Sequence, residues 1–113
     1  MKIKLSSIAY ARSGDKGAHS NVGIIFKNKL LYDWAVVNLT EDLIYDHFKH
    51  TVNGKVIRYC LDNLDALNFV LYDSLGGGGS ESLLNDAQGK TYGQHLLNLT
   101  IDLPKRLEKY INE

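Results

Sequence analysis

The segment Arg12-Ser13-Gly14-Asp15-Lys16-Gly17 sets two cations, a carboxylate, a hydroxyl and two glycines side by side. Glycines let backbone N–H groups turn toward an anion, and Arg and Lys add charge-assisted donors. Such a segment suits an anion or carboxylate site, with Asp15 as a general base and the nearby His19 as a second acid–base candidate. It is not a P-loop, because the Gly-x-x-x-x-Gly-Lys-Ser/Thr spacing is absent. The plain alternative is a polar hairpin loop in which Asp15 pairs with Arg12 or Lys16.

A second cluster, Gly76-Gly77-Gly78-Gly79-Ser80-Glu81-Ser82, has the composition of a loop that wraps an anion or of a slack connection. Asp86 and Lys90 flank Gly89 and either join that site or cap a turn. These are the chain's three glycine-and-charge segments, and each interrupts a regular pattern, where a scaffold displays functional residues. They are therefore expected to converge in space. Arg12 and Lys16 would then act as donors, and the backbone N–H groups of Gly77 to Gly79 would face the ligand.

His47 and His50, three apart on one helical face, lack a third ligand at recognisable spacing, so no metal is expected. Cys60 falls within a strand pattern and reads as a small core residue. No nucleophile elbow, zinc-protease helix or dinucleotide fingerprint appears, and no cofactor is expected.

The elements that must position these residues fit one domain of 113 residues. Thirteen Lys and Arg balance thirteen Asp and Glu, which argues against a nucleic-acid partner, since phosphate neutralisation needs clustered positive charge. With 44% hydrophobic residues the chain has material for a core, and a single cysteine fits a reducing, cytoplasmic setting. No apolar run is long enough for a membrane span or a signal peptide, so no membrane partner is expected.

Period-two alternation predicts strands over Lys2–Ala11, Asn21–Lys27, Lys55–Leu61 and Ala66–Tyr72, with a short last strand at Thr100–Leu103. The last two long strands are expected to form a hairpin, with Ile57, Tyr59 and Leu61 facing the core beside Leu67, Phe69 and Leu71. Helices are predicted over Asn28–Val37, from a Thr40 N-cap to about Thr51, over Thr91–Leu99 and after Pro104. The order β-β-α-β-β-α-β predicts an α+β ferredoxin-like sandwich, a mostly antiparallel sheet with helices packed on one face.

Two motifs in order carry a resemblance. The first runs Ile8-Ala9-Tyr10-Ala11-Arg12-Ser13-Gly14-Asp15-Lys16-Gly17 and then Asn21-Val22-Gly23. The second runs Leu67-Asn68-Phe69-Val70-Leu71, Leu75-Gly76-Gly77-Gly78, Ser82-Leu83 and Asp86-Ala87-Gln88-Gly89-Lys90. Together they resemble the C-terminal ferredoxin-fold domain of the acyclic terpene utilisation protein A (AtuA) family, over about Leu5 to Pro104. At Glu81, Leu84 and Asn85 that family commonly carries basic residues, and the helix after Pro104 is an addition.

The resemblance implies a stand-alone form whose larger companion is a separate polypeptide. The expected role is that of a small subunit or accessory domain of an AtuA-type complex, as part of a homo-oligomer, with a separately encoded large domain, or both. Its binding residues would be Arg12, Ser13, Gly14, Asp15, Lys16, Gly17, Asn21, Gly77, Gly78, Gly79, Ser82, Asp86 and Lys90, with a small anionic ligand as a further occupant. The alternative is an independent enzyme acting on an acyl or carboxylate substrate with Asp15 or His19 as acid–base.

Overall fold

A computed structural model of the chain describes residues 1–16, 19–49, 52, 54–72 and 92–111. The N-terminal strand pattern is split. β1 (Lys2–Lys4) ends in a 3-10 turn, Leu5–Ser7, and β2 (Ala9–Lys16) follows. The turn buries Leu5, whose amide donates to the Leu99 carbonyl at 2.9 Å. A tertiary anchor therefore overrides the alternation that makes Lys2–Ala11 look continuous.

β2 does not stop at Ala11. It runs through Arg12 to Lys16, paired antiparallel with β3 (His19–Phe26) from Ala9↔Phe26 to Lys16↔His19. The segment Arg12–Lys16 is thus strand, not loop. A strand on the sheet edge needs no apolar alternation, and charges and glycines there discourage pairing with other chains.

Helix α1 (Lys29–Asn38) starts at Asn28, whose side chain accepts from the Leu31 amide at 2.9 Å. Helix α2 (Glu41–Phe48) starts at Thr40, whose hydroxyl accepts from the Leu43 amide at 3.2 Å. Glu41 and Asp42 occupy its first turn, where the helix dipole favours them. α2 ends before the expected Thr51. β4 (Val56–Leu61) and β5 (Ala66–Leu71) form the expected hairpin, joined through a 3-10 turn that closes on Asp65 in the left-handed region. Helix α3 (residues 92–97) leads to β6 (Thr100–Asp102), which pairs with β1. Pro104 then opens the expected short charged helix, which is of the 3-10 type over Lys105–Tyr110.

The main sheet has the order β2-β3-β5-β4, all antiparallel. The succession β3-α1/α2-β4-β5-α3-β6, with β5 seated between β3 and β4, is that of an α+β ferredoxin-like fold. β2 takes the place beside β3, and β6 pairs instead with β1. One sheet face, with Val22, Ile24, Leu67, Phe69 and Leu71, is buried together with Leu31, Ile44, Phe48 and Leu96 from the helices.

The core parity of β4 is opposite to expectation. Arg58 pairs with Phe69 and Val56 with Leu71, so Val56 is the buried residue. Ile57, Tyr59 and Leu61 lie on the open face, with Tyr59 49% and Leu61 41% exposed. β4 is the edge strand, and the aliphatic stem of Arg58 takes the place a core hydrophobe would fill. Cys60, expected in the core, is exposed. No helix among the described residues is long and apolar enough to cross a membrane.

Candidate functional site

Strand alternation deals the Arg12–Lys16 residues to two faces. The register makes three rows across the open face: Tyr10-Ile25-Ala66-Leu61, Arg12-Gly23-Asn68-Tyr59 and Gly14-Asn21-Val70-Ile57. Arg12, Gly14 and Asn21 are thus brought together on the open face. Ser13 belongs to the helix-covered face, where a Cβ on Gly93 would meet its Oγ at 3.2 Å. Glycine at 93 is what lets α3 approach β2 so closely. Asp15 and Lys16 are placed by backbone register alone, opposite Ser20 and His19. Gly17, Gly77, Gly78, Gly79, Ser82, Asp86 and Lys90 lie outside the described residues, and with them the expected convergence of the three segments.

The residues that bracket positions 73–91 are described. Tyr72 packs on the His19 ring, with centroids 4.7 Å apart, under the Lys55 ammonium at 5.3 Å. At the other end Gly93 packs on Ser13. Both flanks of that segment therefore rest on the β2–β3 hairpin.

Two members of this face, Gly23 and Asn68, are absent from the expected site residues, although Gly23 interrupts its strand pattern as a bulge or a close backbone approach would. Gly23 lies between Arg12 and Asn68, and among the described residues a Cβ built on it meets nothing closer than 3.8 Å. Among the described residues a Cβ on Gly14 meets Asn21 Oδ1, at 3.5 Å. Neither glycine adopts positive φ, so backbone conformation does not demand it, and neither does packing among the described residues. Each nevertheless weakens its strand by about 0.5–1 kcal/mol relative to alanine. Asn68 is an amide in an otherwise apolar strand, a signal visible in Leu67-Asn68-Phe69. Between Asn21 and Asn68 opens a cavity of about 190 Å³, lined also by His19, Ser20 and Val70.

Other candidates take structural roles. His47 Nε2 lies 2.8 Å from the His95 carbonyl oxygen, and the two rings stack at 4.4 Å, lashing α2 to α3. His50 is outside the described residues, and no metal-ligating group of three or more occurs among the described ones. Tyr32, a buried residue, donates its hydroxyl to Asp62 at 2.5 Å. Burial first, and the Asp62 carboxylate second, push its phenol well above the ordinary range.

A family model, the AtuA ferredoxin-like domain, matches residues 3–102. The chain belongs to that family. No curated protein and no solved structure matches the chain. The AtuA ferredoxin-like assignment spans the chain from β1 through β6 and ends before the 3-10 helix that follows Pro104.

Proposed function

We propose that this AtuA-like domain is a small subunit or accessory domain. In this reading its polar hairpin and glycine-rich segment contact a larger AtuA-type protein or complete that protein's ligand site. The observation that supports it is the bracketing of residues 73–91. Tyr72 on His19 and Gly93 on Ser13 bring both ends of the glycine-and-charge segment to the hairpin that carries Arg12 and Asp15. Loops gathered on one end of a rigid sheet are how scaffolds present contact residues.

The experiment is co-expression with a separately encoded AtuA-type large domain, followed by co-purification and light scattering. A stable complex is expected, weakened by Asp15→Asn with little change in the melting temperature of the small chain. A monomer that does not co-purify overturns the reading.

A further inference from the structure

We infer that the open face of the sheet is a binding site for a small monocarboxylate, centred on the position that Gly23 leaves empty. The inference stands on the sheet's own geometry and does not depend on the assembly reading. Four neighbours wall that position: Arg12 and Asn68 across the strands, Asn21 and Ile25 along β3. Neighbouring strands are about 4.8 Å apart, so Arg12 and Asn68 stand roughly 10 Å from each other with no side chain between them. The gap is continuous with the row that holds Gly14, and the adjoining cavity is bounded by Asn21, Asn68 and His19. Packing among the described residues does not call for glycine here, and a strand glycine marks a place where a ligand or another backbone approaches closely.

The chemistry of the walls selects the ligand. A guanidinium presents a fork of donors that matches a carboxylate bidentately, and two primary amides supply further donors and acceptors. None of the twelve residues in the three rows is Asp or Glu, so nothing in them repels an anion. Within the three rows the Arg12 guanidinium is the one charged side chain, and with neutral amides it matches a single negative charge, while Lys55 beyond them is held over the Tyr72 ring. The cavity is below the roughly 300 Å³ at which drug-sized pockets begin. Tyr10, Ile25 and Leu61, all exposed and in the next row, offer an apolar track for a short tail.

The test is titration of the full ¹⁵N-labelled chain with hexanoate, with hexan-1-ol as control. Saturable amide shifts are expected at Gly14, Asn21, Gly23 and Asn68 with hexanoate and not with the alcohol. Arg12→Gln should weaken hexanoate roughly tenfold or more. Gly23→Val should abolish binding while leaving the melting temperature equal or higher, since a β-branched residue suits a strand better than glycine does. Arg12→Gln, on an exposed side chain, keeps the test decisive if Gly23→Val fails to fold. Absence of saturable shifts, equal response to the alcohol, or unchanged affinity in Arg12→Gln overturns the proposal.

Discussion

The backbone amide of Arg58 donates to the Glu41 carboxylate at 2.7 Å, so the first residue of α2 satisfies the outward-pointing edge of β4. The guanidinium of the same Arg58 donates to the carbonyls of Val36 and Leu39, at 2.7 and 2.9 Å, where α1 runs out of internal partners. One residue thus caps a helix and, through its own backbone, is capped by the next. Arg58→Met should lower stability by about 1.5–3 kcal/mol, the range for hydrogen bonds to charged groups. Glu41→Gln, which keeps an acceptor, should cost less. Urea midpoints at constant slope measure both, and an Arg58→Met midpoint equal to wild type would refute the capping role.

Alkaline stability should report on Tyr32. Its folded phenol sits above the value of 10.0 it has when unfolded, held there by burial and then by Asp62. The neutral phenol therefore stabilises the fold fully below about pH 10, and that contribution is lost as pH rises further, because the unfolded chain releases its proton first. Tyr32→Phe should flatten the decline in stability above pH 10. It should also cost about 1 kcal/mol at neutral pH for the lost bond to Asp62. A pH profile unchanged by the substitution would contradict the assignment.

The two faces of the β4–β5 hairpin should respond very differently to truncation. Phe69→Ala removes a fully buried ring and should cost about 3–5 kcal/mol. Tyr59→Ser, across the register on the open face, should shift stability by no more than about 0.5 kcal/mol. Calorimetry on the pair decides, and comparable losses would mean the face assignment is inverted.

Gly54 is tightly constrained. Its amide donates to the Tyr72 carbonyl at 3.0 Å, and an added Cβ would sit 2.8 Å from both Cβ and O of Tyr72. Since the atoms that would clash are backbone and Cβ, they cannot rotate away. Gly54→Ala should destabilise by about 1–3 kcal/mol, read from thermal unfolding.

Several elements were legible in the sequence because their signals are local. The Thr40 cap, the β4–β5 hairpin and the short strand at Thr100 depend on a few adjacent residues. What was not legible depended on neighbours distant in sequence. Arg12–Lys16 looks like a loop because nothing in it is apolar, yet β3 supplies its hydrogen bonds. Ile57, Tyr59 and Leu61 look like a core stripe, but Arg58 faces the helices instead, bonded where α1 ends and α2 begins. Of the candidate site, Arg12, Gly14 and Asn21 were visible as residue types. Their partner Asn68 stands more than forty residues away, and only the register brings it alongside.

The pairing of β1 with β6 joins Lys2 to Asp102, while the Leu103 amide donates to the Met1 carbonyl at 2.8 Å. During synthesis the four-stranded sheet has emerged by Leu71, whereas β1 waits for a partner still to be translated. With the sheet in place, closing the chain between β5 and β6 costs on the order of 3 kcal/mol of entropy, with only three residue pairs in β1–β6 to offset it. The two-stranded seam should thus form last and exchange its amide hydrogens first, making it the chain's own gauge of whether folding has finished.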